Sequence, residues 1–231
     1  MKRLLLALAT CCATSLSAQA ENVPVVVELF TSQGCSSCPP ADQFMEVLAQ
    51  RDDVIALSMH VDYWDYIGWK DEFADPQHAK RQRAYASEAG RHSVYTPEMI
   101  VNGESDIIGA KPMAVATAIE AYKAQPRLVE VKLSRDGQSM NVNVRALQDV
   151  AGPLQVLMVR FQPERVSNIT RGENAGKVIT YVNVAQDLQL IGPWDAQSDF
   201  AAAVNVPDDL PVVVMVQRQN IGRILAAARL D

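Results

Sequence analysis

The sequence predicts an α/β domain followed by an all-β antiparallel sandwich, and three observations support this. A strand–helix–strand pattern over residues 24–60 indicates parallel pairing through a right-handed crossover. An Asn102-Gly103 pair between two short apolar runs is typical of a β-hairpin. From Arg127 onward, short apolar runs recur without helical patterns, as expected of a sandwich.

The first twenty residues predict a secretory signal. A basic start precedes an apolar run over residues 4–16, and a small-x-small cleavage site ends at Ala20. The run is too short for a membrane span. Cys11 and Cys12 lie within it, but lipidation is disfavoured because Thr10 is a poor residue before a lipidated cysteine. We therefore expect a periplasmic or secreted protein, cleaved near Ala20, in a compartment where disulfides persist.

The charge of the chain argues against two classes of partner. The formal net charge is −6, and it becomes −8 without the signal, which contains two basic residues and no acidic one. The remaining chain has no cluster of Lys or Arg. We expect no nucleic-acid partner and no anionic-membrane partner. Because the apolar run is too short to span and lipidation is disfavoured, we also expect no membrane anchor.

The central motif is a pair of cysteines between a strand and a helix. A β-branched run over residues 24–30 predicts a buried strand, and the prolines after Cys38 are typical of a first helical turn. The spacing of Cys35 and Cys38 permits a disulfide, whose short loop adds little stability, so a redox role is favoured over a structural one. A helix N-terminus promotes ionisation of a thiol. We expect Cys35, the more exposed, to attack and Cys38 to resolve.

Two further positions are candidates for the same chemistry. Glu28 lies on the first strand and would transfer the proton of Cys38 if its side chain points under the cysteines; an edge position in solvent is the alternative. Thr96-Pro97 precedes a later strand, and we expect a cis bond here on context. A cis-proline would leave a backbone edge open to a substrate strand and would block metal capture between the sulfurs.

Residues 62–92 form a predicted helical insertion after the second strand, with helical composition over residues 76–88. Its first part is rich in aromatic and acidic residues. These form a candidate substrate-binding wall over the cysteines, although packing is the more common role of such aromatics. The residues are Asp62, Tyr63, Trp64, Asp65 and Trp69.

Histidines offer an alternative use for the cysteine pair. His60, His78 and His92 are the only ones, and one of them could bind Zn or Cu(I) together with the thiolates. His60 ends a predicted buried strand, where a hydrogen-bonded structural histidine is favoured. We therefore predict no metal site and no cofactor besides the redox-active disulfide.

The predicted organisation is a signal at 1–20, an α/β domain at 21–126 and a β-sandwich at 127–231. The boundary is near Pro126, after a predicted helix over residues 112–123. The polar loop 171–176 is not required by a sandwich. The predicted strands of the second domain cover 128–133, 140–145, 153–161, 176–190, 211–217 and 221–230.

The CxxC on a strand-to-helix turn and the later Thr-Pro resemble the thioredoxin-like superfamily over residues 24–123. Longer motifs are similar to the DUF1223 family of secreted bacterial proteins, at residues 28–42, 60–69, 95–97, 101–103 and 171–176. The resemblance implies a thioredoxin-like first domain in which Cys35, Cys38 and Pro97 are the attacking thiol, the resolving thiol and the cis-proline. The sequence departs from thioredoxins in its Ser-Ser dipeptide, in lacking a tryptophan before Cys35, and in one extra residue after Glu28.

These observations predict a thiol-disulfide oxidoreductase that acts on a protein or small thiol or disulfide, with an unidentified redox partner. The direction of electron flow stays open. Two alternatives also stay open. One is a copper- or zinc-binding or delivery protein that uses the same cysteines and a histidine. The other is a non-catalytic protein whose sandwich binds a partner.

Overall fold

The computed structural model describes residues 23–231. The predicted signal at 1–20, with Cys11 and Cys12, lies outside the described residues. Between residues 23 and 231, no helix is long and apolar enough to cross a membrane.

The described chain forms a mixed α/β structure. The helices are α1 (Pro39–Ala49), α2 (Pro76–Glu88) and α3 (Pro112–Lys123), with a short 3₁₀ helix at Asp65–Ile67. The strands are β1 (Val25–Thr31), β2 (Val54–His60), β3 (Glu98–Val101), β4 (Ser105–Ile108), β5 (Val129–Asp136), β6 (Ser139–Ala146), β7 (Leu154–Asn168), β8 (Val178–Trp194), β9 (Phe200–Asn205), β10 (Val212–Arg218) and β11 (Ile224–Leu230).

Strand β1 lies inside the larger sheet and is buried along its whole length. It pairs in parallel with β2 and antiparallel with β3. Because side chains alternate across a strand, one set packs against α1 and α3 and the other against α2. The nearly continuous apolar run of β1 therefore reflects helices on both faces of the sheet.

The hairpin predicted at Asn102-Gly103 is confirmed. Both residues have positive φ, 53° and 77°, and they connect β3 to β4. A Cβ on Gly103 would lie 2.7 Å from the carbonyl oxygen of Gly222, so this turn packs closely against the turn between β10 and β11.

The larger sheet has eight strands in the order β11-β10-β7-β8-β2-β1-β3-β4. Four strands that follow residue 126 therefore extend the sheet of the N-terminal strands, and the predicted boundary near Pro126 does not separate two sheets. The junction of β2 and β8 is parallel and short. Side chains reinforce it, because Ser58 Oγ donates to Val182 O (2.8 Å) and Asn183 Nδ2 donates to Ala56 O (2.9 Å).

The second sheet contains β5, β6 and β9 and packs on one face of the larger sheet. Its core side chains alternate along β6, as in Val142 and Val144, and meet Val156 and Val214 of the larger sheet. The expected sandwich layering is thus present, but one of its two layers belongs to the common sheet. Strand β9 lies outside the ranges that the sequence pattern predicts as strands.

Strands β7 and β8 form a long hairpin, paired from Leu154↔Trp194 to Asn168↔Val178. We call residues 169–177 the hairpin tip. Gly172 in this tip has φ +74°, and a Cβ there would lie 3.2 Å from Trp69 Cβ. The tip therefore packs against the segment that follows β2.

Candidate redox site

The two cysteines lie between the end of β1 and the start of α1. Cys35 and Cys38 form a disulfide with a Cα–Cα distance of 5.4 Å. Cys38 immediately precedes α1, and its carbonyl accepts hydrogen bonds from the backbone N–H groups of Ala41 and Asp42. The pair therefore lies at the N-terminus of a helix, as the sequence predicts.

Both cysteines are buried in this disulfide form. Cys35 is 2% exposed and Cys38 is 0% exposed, so the expected difference in exposure is small. The two serines between them are exposed, and Ser37 Oγ lies 3.4 Å from Cys35 Sγ. The accessible part of the turn is therefore Ser36-Ser37.

Trp64 connects the cysteine turn to the Thr96-Pro97 segment, whose peptide bond is cis as expected. The indole Nε1 donates to Thr96 Oγ1 at 2.7 Å. On the other side, a Cβ on Gly34 would lie 3.2 Å from Trp64 Cβ, so the residue before Cys35 packs against the tryptophan. Two predicted site residues, Trp64 and Thr96, are thus joined beside the turn, and Pro97 directly follows Thr96.

The other aromatic-acidic residues divide into two groups. Trp69 Nε1 donates to Gln33 Oε1 at 2.7 Å and so contacts the cysteine turn. Tyr63 instead donates its hydroxyl to Gln82 Oε1 on α2, at 3.0 Å. Asp62 is half-buried, and its backbone carbonyl accepts from Asp65 N–H. Only part of the predicted wall contacts the turn.

Glu28 is buried on the face of β1 opposite α1. Its carboxylate pairs with Arg81 of α2 (2.6 Å to Nε) and accepts from the Tyr85 hydroxyl at 2.6 Å. Val26 and Phe30 lie on the same face and pack against α2, since the side chains of a strand alternate. The expected position under the cysteines is therefore wrong, and so is the alternative of a solvent-exposed edge position.

Asp42 is a buried acid on the same helix as Cys38. It lies one helical turn after Cys38, and Thr31 Oγ1 donates to its Oδ1 at 2.7 Å. Its Oδ2 has no hydrogen-bond partner among the described residues. Burial raises the pKa of Asp42 from 3.8 to about 7, against the opposing effects of the Thr31 hydrogen bond and the nearby His60. Asp42 is not among the site residues predicted from the sequence, although its place in the first turn of α1 is a local signal that could have identified it.

His60 and Asp71 form a buried pair beneath the turn. Asp71 Oδ2 lies 2.7 Å from His60 Nδ1 and accepts from Gln33 N–H at 2.8 Å. Burial would raise the pKa of Asp71, but His60 and the backbone hydrogen bonds hold it below its usual value. The His60 ring also packs edge-on against Tyr181, with ring centroids 4.7 Å apart. His60 is thus a hydrogen-bonded structural residue, and Asp71 is a partner that sequence analysis missed.

The remaining histidines lie elsewhere. His78 Nδ1 is 2.9 Å from the carbonyl oxygen of His60, and His92 is exposed. Over residues 23–231, no group of three or more His, Cys, Asp and Glu side chains is arranged to hold a metal ion.

The hairpin tip supplies a contact that the sequence did not predict. Asn174 is buried, and its Nδ2 donates to the carbonyl oxygens of Gln33 and Cys35, both at 2.9 Å. Ser167 Oγ, at the end of β7, donates to Gln33 Oε1 at 3.0 Å. A sandwich alone does not require the polar loop 171–176. The contact of Asn174 gives this loop a role, because through it the C-terminal half of the chain binds the cysteine turn.

Comparisons with known proteins agree with this architecture. Protein AGR_C_4864 from Agrobacterium tumefaciens, known from a crystal structure, shares 32% sequence identity with this chain. The alignment covers 91% of this chain and 95% of that protein, with a TM-score of 0.79. HBP35 of Porphyromonas gingivalis is 15% identical over 90% of this chain and 75% of its own, with a TM-score of 0.59, a likeness of fold alone. Among curated proteins, no match to this chain is found. A family model described as "Protein of unknown function (DUF1223)" matches residues 26–217, and the chain therefore belongs to the DUF1223 family.

Proposed function

We propose that this protein is a thiol-disulfide oxidoreductase in which Cys35 and Cys38 alternate between disulfide and dithiol. The observation that carries the proposal is the pair itself, placed at the start of α1 and joined through Trp64 to Thr96. The strand order β2-β1-β3-β4, with α1 and α3 on one face, supports a thioredoxin-like N-terminal part. Export to the periplasm or cell exterior belongs to the same proposal, because a dithiol pair of this kind works where disulfides persist.

The proposed reaction is a two-step exchange. The Cys35 thiolate attacks a substrate disulfide, which forms a mixed disulfide and releases one substrate thiolate. The Cys38 thiolate then attacks Cys35 Sγ, which forms the internal disulfide and releases the second. Two electrons pass from the protein dithiol to the substrate, and the reverse sequence oxidises a substrate dithiol. The N-terminus of α1 stabilises the thiolates, and a substrate approaches over Ser36 and Ser37, the exposed residues of the turn.

Asp42, rather than Glu28, is the proposed proton acceptor for Cys38. It is buried on the same helix one turn further on, and its carboxyl group exchanges a proton near neutral pH. Thr31 orients the carboxyl through its hydrogen bond. Glu28 is held by Arg81 on the opposite face of the sheet and serves the packing of α2.

The proposal is tested by catalysis of peptide disulfide reduction, with glutathione as the reductant. The wild-type protein is expected to accelerate the reaction, and Cys35→Ser is expected to reduce the rate to the uncatalysed background. Ser87→Ala, an exposed position near the end of α2 and outside the proposed substrate approach, is the control and should retain activity. Full activity of Cys35→Ser would overturn the mechanism.

Two alternative functions of the protein predict different experimental results. A copper- or zinc-delivery protein would form a stoichiometric tight complex when the reduced chain is titrated with Cu(I) or Zn(II). The arrangement of the histidines gives that alternative less support, since His60 is engaged by Asp71. A non-catalytic binding protein would have cysteines that do not exchange with external thiols in the native state.

A further inference from the structure

The hairpin tip holds the cysteine turn through both amide hydrogens of one side chain. Asn174 Nδ2 donates to Gln33 O and to Cys35 O, and an Asn amide has two such hydrogens to give. Asn174 is 1% exposed, so neither carbonyl has water as a ready substitute partner. Loss of the amide would leave both acceptors without that donor in a buried site, which is costly.

The tip is itself held in place. Asn174 Oδ1 accepts from Lys177 Nζ at 2.8 Å, and Gly176 N–H donates back to Ile169 O at 2.8 Å. The Gln33 side chain, in turn, accepts at Oε1 from Ser167 and from Trp69. The turn before Cys35 is therefore fixed from the C-terminal half by a braced loop and not by a single flexible contact.

We propose that Asn174 is a positioning residue for the disulfide, and that the C-terminal hairpin thereby sets how readily the Cys35–Cys38 pair is reduced. The Cys35 carbonyl that Asn174 holds also accepts the backbone N–H of Cys38 at 3.2 Å. Fixing this carbonyl keeps the two cysteines in the geometry of the closed ring, so the effective concentration of one sulfur at the other is high and the disulfide is favoured. The inference depends on the proposed function in one respect, which is that the Cys35–Cys38 pair must exchange with external thiols.

The same contact limits access to the bond. Cys35 belongs to the turn that Asn174 holds, and its side chain is almost fully buried. An external thiol can therefore attack the disulfide only if the turn moves. Removing the clamp should therefore raise the rate of reduction as well as its extent.

The test is equilibration of the oxidised mature chain with mixtures of reduced and oxidised glutathione. The protein disulfide takes up two electrons and two protons from two glutathione molecules and becomes a dithiol, while the two glutathiones join in one disulfide. For Asn174→Ala we expect the equilibrium constant for reduction to rise about tenfold, which corresponds to about 30 mV in potential. Asn174→Asp should shift it in the same direction, because a carboxylate cannot donate to the two carbonyls. Glu173→Ala, an exposed neighbour in the same loop, is the matched control and should leave the constant unchanged.

A purely structural role of Asn174 predicts a different pattern. It would lower the free energy of unfolding of the oxidised chain in urea but leave the glutathione equilibrium unchanged, and that result would overturn the inference. If Asn174→Ala fails to fold, Ser167→Ala removes a single hydrogen bond to Gln33 and should shift the equilibrium in the same direction by a smaller factor; an unchanged equilibrium there also overturns it. If the wild-type pair does not exchange at all, the proposed function fails, and the inference then requires that Asn174→Ala does exchange.

Discussion

At the level of single residues, two buried acids show how the alternation of side chains along a strand determines which acid lies near the cysteines. Glu28 and Asp42 both lie near the cysteines in sequence, but the alternation of β1 directs Glu28 towards α2, whereas Asp42 lies on α1 with Cys38. The β1 sequence is apolar on both faces, so its pattern does not tell which face will carry the cysteine helix. That assignment needs the packing of the helices, which is long-range information.

Replacement of Asp42 by Asn should change the dependence of stability on pH. The folded-state pKa of Asp42, about 7, lies above its unfolded value of 3.8. Its contribution to stability is therefore fully present below the unfolded pKa and is lost as pH rises through 7, at most about 4 kcal/mol in all. Urea unfolding of the oxidised protein between about pH 4 and pH 8 measures this loss. Asp42→Asn should lack it, and the exposed control Asp52→Asn should retain it; equal pH dependence in wild type and Asp42→Asn would contradict the assignment.

Replacement of Glu28 by Gln should affect stability and not exchange. The change leaves the buried Arg81 without its carboxylate, and breaking such a pair costs about 3–5 kcal/mol. The control Glu120→Gln removes an exposed partner of Lys123 and should cost less than about 1 kcal/mol. Urea unfolding gives both values. A variant of Glu28 that keeps its stability but loses exchange would restore the role in proton transfer that the sequence suggested.

At the scale of elements, local signals predicted the N-terminal part closely. The predicted helices at 76–88 and 112–123 have the bounds of α2 and α3, and each has a proline in its first turn. The Asn-Gly hairpin is likewise a local feature. The junction of β2 and β8 was not predictable in this way, because Ser58 and Asn183 bridge it across 124 and 127 residues of sequence, and neither belongs to a recognisable pattern.

The contact between the two hairpin turns can be measured with a glycine substitution. Gly103→Ala places a Cβ 2.7 Å from Gly222 O and 3.1 Å from the Ile224 backbone nitrogen, both of which are backbone atoms that cannot rotate away. Gly137→Ala is the control: its φ is also positive, +59°, but no atom lies within 4 Å. We expect Gly137→Ala to cost about 1 kcal/mol of strain and Gly103→Ala at least about 1–3 kcal/mol more, measured by urea unfolding. Equal costs would show that the turns do not pack as described.

At the scale of the whole molecule, one core spans the predicted boundary at residue 126. A single buried cluster joins Val26 and Leu57 of the N-terminal strands to Phe161 and Met215 of the C-terminal strands. The candidate site is composite in the same sense, with cysteines from one half and Asn174 from the other. The sequence identified Cys35, Cys38, Pro97 and Trp64 through local motifs. It missed Asn174, whose bond to the Cys35 carbonyl spans 139 residues.

This continuity predicts that the two halves do not fold separately. A fragment of residues 23–126 would expose the edge of β2 and the apolar side chains that β7 and β10 cover, so we expect it to lack cooperative unfolding. The complete chain should unfold in a single transition, with coincident curves from tryptophan fluorescence and far-UV circular dichroism. A fragment that unfolds cooperatively would instead support the predicted division into domains at 21–126 and 127–231.

In the proposed mechanism, the Cys35 thiolate attacks an external disulfide and Cys38 then resolves the mixed disulfide, so trapping this intermediate is the sharpest test. Native Cys38→Ser protein, incubated with oxidised glutathione, should form one adduct per chain at Cys35, counted by mass spectrometry. The matched variant Cys35→Ser should form none while folded, because Cys38 is fully buried where α1 begins, whereas Cys35 lies next to the exposed Ser36. If native Cys38→Ser forms no adduct while the same protein forms one in urea, Cys35 is not the attacking thiol of the folded protein and the mechanism is wrong.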